Sequence, residues 1–443
     1  MSAARPSAAS GLDRCDAVLE MVGGRADAIV AAGRGVTALT RFANSAIHQN
    51  VAEDNTYVYL KVIVDGQYAA ATTTQTDAVA LGRLVERTIA AARLRPADPD
   101  WPGLAPSAPT APVEHWDDET AAASPDSRAA VVKSFVDAGA GLESAGYCAT
   151  NGMWVATANS AGQRVASRHT SATIDGIHRT GSSDAAASST SVRLSDLDGA
   201  AAGAAAATRA RASAEAIDLD LGVYEVVLSP SCLANMLQFL ASAGFNAKAH
   251  LDGTSFVHLG EQQFDTSVSL WDDAIDPRTI GLPFDHEATP KRRVDLVRNG
   301  VTERVVHDRR TAAKAGVAST GHGLGQESFG AYPTNLFFGE GTGTQDDLIA
   351  TMDRGLVVHD FWYTRILDPK TQVVTGLTRN GVFLVEGGKV GPAVRNLRFT
   401  QSFVSALGPG KVKAISADAR LVGTMHVPSV HLAAWNFTGG AKG

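Results

Sequence analysis

The sequence has few cysteines, few aromatic residues and no long apolar run. Only 3 of its 443 residues are cysteine and 6% are aromatic, and no segment approaches the roughly 20 apolar residues that a membrane-spanning helix needs. Cys15, Cys148 and Cys232 lie far apart and form no CxxC pair. This usage favours buried thiols in a reducing compartment over disulfides or a structural zinc site. We therefore expect a cytoplasmic protein that does not bind membranes.

Clustered positive charge is also missing. The net charge is −7 and the pI is about 5.9, and the one dense basic run is Lys291-Arg292-Arg293. A nucleic-acid surface needs a larger basic face, so we expect no nucleic-acid partner. With 44% hydrophobic and 19% charged residues, the chain has the composition of a globular protein long enough for two or three domains.

The periodicities and turn signals predict an α+β protein. Two helix–antiparallel-sheet–helix units come first, and a large antiparallel β-rich domain follows them. The predicted segments are a disordered leader at 1–11, an N-terminal αββββα unit at 12–95, a proline-rich linker at 96–125, a second α+β unit at 126–218, and the β-rich C-terminal domain at 219–443. The four strands of the first unit require a turn at Gly33-Arg34-Gly35.

The stretch Pro283–Gly323 holds the first candidate for chemistry. His286-Glu287 resembles the start of the zinc-peptidase motif HExxH, whose two histidines must lie four residues apart on one helical face. Position 290 is proline and the next histidine is His307, so this pair does not complete the motif.

The rest of that stretch predicts a scaffold. Asn299-Gly300 supplies the positive φ angles of a two-residue hairpin turn. Asp308 is a predicted N-cap for a helix that Gly316 ends. Elsewhere there is no GxSxG nucleophile motif, and Cys232 has no basic neighbour that would activate it. We therefore predict no catalytic residue and no metal ligand in this chain.

Several segments resemble a known family. PFDHEATPKRRVDLVRNGVTERVVHDRRTAAKAG, which begins at Pro283, resembles the signature of the TldD/PmbA family. TGHG, the run from Thr334 to Phe337 and the run from Asp346 to Ile349 resemble its later segments. The resemblance extends over nearly the whole chain from about residue 12.

The resemblance implies a role as well as a fold. TldD-type members carry HExxxH on the helix after the first strand of the last domain, but here that segment, Cys232–Leu240, has no histidine or glutamate. The chain is therefore similar to the TldE/PmbA type. This implies a heterodimer with a TldD-like metallopeptidase, zinc in that partner and no cofactor in this chain, with a homodimer as the alternative.

The resemblance and the glycine-rich loops also indicate where a peptide or peptide-like substrate would bind. We expect contacts at Gly321, His322, Gly323, Asn335 and Arg379. Two other hypotheses remain open. The chain is itself a hydrolase with a non-standard site, for which His322 and Asp285 are candidates, or it is a regulatory or binding module.

Overall fold

The structure is a computed structural model that describes residues 8–325 and 328–440. Its secondary structure is mixed α+β, which confirms the predicted fold class. The α-helices of the described residues are α1 (Ala8–Val22), α2 (Ala78–Ala92), α3 (Asp118–Ala121), α4 (Pro125–Ala138), α5 (Gly199–Ala212), α6 (Pro230–Ala243), α7 (Ala247–Leu251), α8 (Arg309–Ala315), α9 (Gln345–Ala350) and α10 (Phe403–Ala406).

The β-strands of the described residues form three sheets. They are β1 (Asp27–Ala43), β2 (Ala46–Val64), β3 (Gln67–Thr73), β4 (Glu143–Asn159), β5 (Arg164–Arg179), β6 (Asp184–Ser191), β7 (Gly222–Leu228), β8 (Leu270–Asp272), β9 (Val294–Arg298), β10 (Val301–Thr302), β11 (Leu336–Phe338), β12 (Arg354–Asp368), β13 (Val373–Glu386), β14 (Lys389–Ala393), β15 (Leu397–Ser402), β16 (Val412–Ile415), β17 (Arg420–Val422), β18 (Met425–Val427) and β19 (Val430–Gly440). No helix among the described residues is both long and apolar enough to span a membrane.

The two predicted N-terminal units share one sheet. Its six strands lie in the order β3-β2-β1-β4-β5-β6, and β1 joins the halves by antiparallel pairing with β4. Helices α1 and α2 enclose one apolar core and α4 and α5 another, and both cores include residues of β1 and β4. The sequence units are therefore two halves of a continuous antiparallel sheet rather than two separate sheets.

The predicted turn at Gly33-Arg34-Gly35 is wrong, because β1 runs through it without a break. Gly33 faces Tyr57 on β2, and a Cβ at Gly33 would lie 2.4 Å from the tyrosine ring. The glycine thus admits an aromatic ring instead of reversing the chain. The reversal occurs at Asn44 and Ser45, whose φ angles are 49° and 60°.

The predicted leader and linker are also more ordered than expected. Helix α1 begins at Ala8, so the predicted disorder is wrong for residues 8–11, and residues 1–7 lie outside the described residues. The linker contains the short helix α3 and the fully buried His115. The ring of His115 contacts the Asp276 carbonyl oxygen through Nε2 at 2.9 Å, and the Gly281 N–H lies 3.3 Å from Nδ1. The linker is thereby fastened to the C-terminal half.

The C-terminal half contains the other two sheets. One has the order β10-β9-β8-β11-β18-β17, and the other has the order β12-β7-β19-β15-β13-β14, with β16 paired to β19. Most pairings are antiparallel as predicted, but β7–β12 and β11–β18 are parallel. Helix α6 contributes Leu233, Met236 and Leu237 to the core that both sheets enclose. This apolar core holds the loops that face the N-terminal sheet.

The stretch that begins at Pro283 folds largely as predicted. Asn299 and Gly300 have φ angles of 48° and 84° and turn β9 into β10. The side chain of Asp308 accepts a hydrogen bond from the Thr311 N–H at the start of α8, and Gly316 ends that helix in the left-handed conformation. The segment around His286 is a turn rather than a helix.

Candidate substrate cavity

A cavity of about 1060 Å³ lies between the N-terminal sheet and the loops of the C-terminal half. One wall is the sheet face opposite the helices. The other wall consists of loops from residues 280–291, 322–325, 332–335 and 422–424. The volume is at the upper end of the range that small-molecule sites occupy, and it is large enough for a short peptide.

The sheet wall follows from strand alternation. Ala172 and Ile174 of β5 are buried in the core under the helices, while Ser171 and Thr173 point the other way into the cavity. The wall also carries His169, whose Nδ1 is buried without a hydrogen-bond partner within the described part of the chain. Burial, helped by the nearby His115, lowers the pKa of His169 to about 4, so this ring is neutral near pH 7.

The loop wall is held by Asp272, the last residue of β8. Its carboxylate is fully buried and accepts hydrogen bonds from His322 Nε2 at 2.8 Å and from the Asn335 N–H at 2.6 Å. Burial alone would raise the pKa of Asp272. The charges of His322 and Lys291 and the Asn335 N–H outweigh burial and hold the pKa below its usual value. One carboxylate therefore joins two loops that are far apart in sequence.

His322 is a positioning residue in this arrangement. Its Nδ1 lies 2.9 Å from the Thr320 carbonyl oxygen, and its Nε2 lies against Asp272. Nδ1 also lies 3.0 Å from Thr320 Oγ1, so both ring nitrogens have hydrogen-bond partners within the protein. Neither nitrogen is left to bind a metal ion or to take a proton from a substrate.

Asp285 and Glu287 form a second buried acidic pair behind the cavity. Asp285 accepts hydrogen bonds from the backbone N–H groups of Gly323, Glu287 and Thr289, at 2.8, 2.9 and 2.9 Å. Burial and the charge of Asp285 raise the pKa of Glu287 to about 8. Burial raises the pKa of Asp285 as well, although its three backbone donors oppose that shift. The pKa of about 8 places a proton on Glu287 at neutral pH.

Lys291 is the cationic group of the cavity wall. Burial lowers its pKa below the usual value, and the carboxylates of Asp272 and Asp285 oppose that shift. Its Nζ donates to Thr334 Oγ1 at 2.6 Å, and no carboxylate of the described residues lies within 4.0 Å of it. An ammonium group has three donors, so Lys291 has donors left for a carbonyl or carboxylate oxygen of a substrate.

The structure brings four of the five predicted contact residues to this site. His322, Gly323 and Asn335 line the cavity. Gly321 lies next to it with a φ of 76°, and a Cβ there would come within 2.5 Å of the Pro290 carbonyl oxygen. The role of Gly321 is therefore to let the loop backbone pass close to Pro290.

Arg379 is not part of this cavity. It stacks over the Trp362 ring at 4.6 Å from the ring centroid and lies 3.7 Å from Asp184. It is on β13, where it pairs with Asp360 of β12, and it is absent from the lining of the cavity. The predicted contact between Arg379 and a substrate in the cavity is thus not supported by its position.

The sequence analysis missed several residues that build the site, namely Asp272, Lys291, Thr334 and the cavity face of β5. The β5 residues had a readable signal, because HTSATID alternates polar and apolar positions in the pattern of a half-buried strand. No signal in the sequence indicated Asp272, since its partners His322 and Asn335 are distant in sequence and follow no periodicity.

Helix α6 does not fit a zinc ion. It follows β7, the first strand of the C-terminal half, and its sequence PSCLANMLQFLASA has no histidine, aspartate or glutamate. Its one thiol, Cys232, donates to the Val358 carbonyl oxygen at 3.5 Å, and burial raises its pKa well above the usual value. Among the described residues, no three His, Cys, Asp or Glu side chains are placed to hold a metal ion together.

The fold and the cavity define a class: an α+β protein in which a six-stranded sheet covers a chamber on a β-rich C-terminal half. Residues 221–439 match the PmbA/TldA metallopeptidase C-terminal domain. The chain belongs to the TldD/PmbA family, as the sequence resemblance predicted.

Two curated relatives and one solved structure show how far the likeness extends. The chain is 24% identical over 207 residues to a metalloprotease TldD homolog of Buchnera aphidicola and 26% identical over 154 residues to one of Haemophilus influenzae. These matches cover 45% and 34% of this chain and span 42% and 31% of the relatives, less than half of either. TldE from Thermococcus kodakarensis has the same fold, with a TM-score of 0.87, 17% identity and coverage of 98% of this chain and 100% of that one.

Proposed function

We propose that this chain is the TldE/PmbA-type subunit of a cytoplasmic TldD/TldE-type metallopeptidase complex. It forms part of the chamber in which a peptide or peptide-like substrate lies, and a TldD-like partner carries the zinc that hydrolyses the amide bond. The observation that carries the proposal is α6. By the family resemblance, this helix corresponds to the one that carries HExxxH in TldD-type members, and here it has no histidine, aspartate or glutamate.

Family membership and the cavity support the substrate-binding half of the proposal. The chamber is lined by hydroxyl groups of the sheet, by Tyr57 and Tyr59, and by the donors of Lys291. Such groups bind peptide N–H and carbonyl groups through hydrogen bonds without demanding one sequence. In this proposal, the buried network around Asp272 keeps the loop wall in the same position whichever peptide is bound.

The same network argues against a catalytic role for His322 and Asp285. The ring nitrogens of His322 are both engaged, and Asp285 accepts three backbone hydrogen bonds. A general base must have a lone pair within reach of the proton that it removes. In this proposal, both residues instead hold the wall.

The experiment is a reconstitution. The full chain is expressed alone and together with a TldD-like protein that has HExxxH intact, then assayed for co-purification, zinc content and peptide cleavage. The expected result is a heterodimer with zinc bound by the partner and cleavage only when the partner is present. Cleavage by the isolated chain with stoichiometric zinc would overturn the proposal.

A further inference from the structure

A second cavity, of about 500 Å³, adjoins the substrate cavity. The two share Asp175 of β5 and Ser188 of β6 in their linings. A substrate that lies along the sheet wall can therefore extend into the second cavity, which is bounded by α5 and by the loops before α6 and after β16.

Two guanidinium groups face the second cavity. Arg209 of α5 donates to the Ala186 carbonyl oxygen and lies 3.3 Å from His359 Nδ1. Arg420, at the start of β17, donates to the Ser188 carbonyl oxygen at 3.0 Å and to Ser231 Oγ at 3.2 Å. Both arginines are thus fixed in position while several of their N–H donors remain for a ligand.

Neither guanidinium is neutralised by a close carboxylate. Within residues 8–325 and 328–440, no aspartate or glutamate oxygen lies within 4.0 Å of Arg209 or Arg420, and Nε of Arg209 is buried without a hydrogen-bond partner. Burial, with a smaller contribution from Arg420, lowers the pKa of Arg209 to about 10. Arg209 is partly buried, whereas Arg420 is exposed at the cavity rim. Because buried charged groups are normally paired, a bound anion would complete the surroundings of Arg209.

Five aspartates, Asp175, Asp198, Asp346, Asp360 and Asp418, also line the cavity, but none of them lies within 4.0 Å of either guanidinium group. Asp360 accepts from Asn380 Nδ2 at 2.9 Å, and Asp418 accepts from the Gln345 N–H at 3.1 Å. Asp198 caps the first turn of α5. Burial raises the pKa of Asp360, and the Asn380 hydrogen bond and the charge of Arg209 oppose that shift.

His359 lies close enough to the two guanidinium groups for their charges to affect its pKa. Burial, then the charges of Arg209 and Arg420, lower its pKa to about 3. The ring is therefore neutral near pH 7 and does not compete with the two guanidinium groups for a carboxylate, whereas Asp175 lies at the junction with the substrate cavity.

We propose that the second cavity is a carboxylate-binding subsite in which Arg209 and Arg420 hold a carboxylate of the peptide that occupies the substrate cavity. This inference rests on the proposed function and deepens it, since it makes substrates with a free C-terminal carboxylate or an acidic side chain the preferred class. Guanidinium groups suit this ligand because they bind carboxylate oxygens by charge-assisted, often paired hydrogen bonds.

The test is the binding of fluorescein-labelled peptides to the full chain, measured by fluorescence anisotropy. The peptide series shares one neutral sequence and differs in its end groups: free acid, C-terminal amide, and amide with one internal glutamate. We expect at least one carboxylate-bearing peptide to bind about tenfold or more tightly than the neutral amide, as the loss of a charge-assisted bond implies. The free acid and the internal glutamate distinguish the two sources of the carboxylate.

The variant Arg420→Gln should abolish this preference, so that the acid and amide peptides bind equally. The matched control is Arg395→Gln, because Arg395 is an exposed arginine that pairs with Asp218 and lies outside both cavities. Arg420→Lys keeps the charge and should retain part of the preference. Melting temperatures of all variants check that they fold.

The outcomes separate the subsite from the proposed function. Equal binding of acid and amide peptides, unaffected by Arg420→Gln, overturns the subsite and leaves the proposed function standing. Failure of every peptide to bind the chain, alone or with its partner, overturns both. If Arg395→Gln reduces the preference as much as Arg420→Gln does, the preference comes from the overall charge of the protein. That result also overturns the subsite.

Discussion

The two walls of the substrate cavity are built in different ways. The sheet wall is a regular face of β1, β2, β4, β5 and β6, in which hydroxyl groups such as those of Ser171 and Thr173 alternate with core residues. The loop wall has no regular structure and is held by buried charged groups, chiefly Asp272, Asp285 and Lys291.

This difference predicts how each wall tolerates substitution. Sheet-wall side chains such as Ser171 and Thr173 bond to other side chains of the sheet but do not hold loop backbone in place, so they can vary with the substrate. Loop-wall side chains hold backbone groups that no helix or strand pairs, and removing one leaves buried donors without partners. Stability should therefore depend on the loop wall, and substrate preference on the sheet wall.

The largest expected effect is that of Asp272→Ala. The change leaves His322 Nε2 and the Asn335 N–H buried without an acceptor and removes an anion near Lys291. The free energy of unfolding should fall by about 3–5 kcal/mol, measured by urea denaturation. The control is Asp353→Ala, at an exposed aspartate. A loss below about 1 kcal/mol at Asp272 would contradict the account of the loop wall.

The next effect concerns the backbone path at Gly321. Alanine there must adopt a φ of 76° and place Cβ within 2.5 Å of the Pro290 carbonyl oxygen. Gly423→Ala, also at the cavity, has a φ of 63° but open space around it. We expect a loss of about 2 kcal/mol or more for Gly321→Ala and about 1 kcal/mol for Gly423→Ala. Thermal denaturation compares the two, and equal losses would show that the close approach costs nothing.

Glu287 should make stability depend on pH. Its folded-state pKa of about 8 lies above the ordinary value of 4.5, so the folded state binds a proton more tightly than the unfolded state. The contribution of Glu287 to stability is then lost as pH rises from 4.5 to about 8, by at most about 1.4 kcal/mol per pH unit.

Glu287→Gln should remove this dependence and raise the melting temperature relative to the unsubstituted chain at pH 8 more than at pH 5. The control is Glu386→Gln, since Glu386 is an exposed glutamate on β13. If the melting temperatures of Glu287→Gln and of the unsubstituted chain change equally with pH across this range, the proton is not bound by Glu287.

The smallest effect on stability is expected on the sheet wall. Ser171→Ala removes a hydroxyl that accepts one part-buried hydrogen bond from Asn151 at 3.2 Å, so the free energy of unfolding should change by about 0.5 kcal/mol or less. Peptide affinity, measured by anisotropy, should change more than stability does. A large loss of stability would mean that the sheet wall is as constrained as the loop wall.

The local elements could be predicted from the sequence because local rules determine them. Asn299-Gly300 demands a hairpin turn, and Asp308 and Gly316 bound α8 by capping chemistry that acts within a few residues. The same local rules gave a wrong turn at Gly33, because this glycine leaves space for the ring of Tyr57 from the neighbouring strand.

The site was predictable only in part for a similar reason. The family resemblance indicated His322 and Asn335, but it did not indicate Asp272, the carboxylate that holds both. That contact joins positions 50 and 63 residues apart, which spacing within a motif cannot show. Arg379 was chosen from a resembling segment, yet its side chain stacks on Trp362 and does not line the cavity. The domain boundaries stay predictions.

The most direct test of the proposed chamber is to block it in the reconstituted complex. Thr173→Trp places an indole on the sheet wall inside the cavity, whereas the control Val79→Trp places one on the exposed face of α2. Peptide cleavage is measured with both variants at equal zinc content and equal co-purification with the TldD-like partner. Cleavage should fall about tenfold or more with Thr173→Trp and stay unchanged with Val79→Trp, because a filled cavity cannot hold the substrate. Equal cleavage by both complexes would contradict the claim that this chain forms part of the substrate chamber.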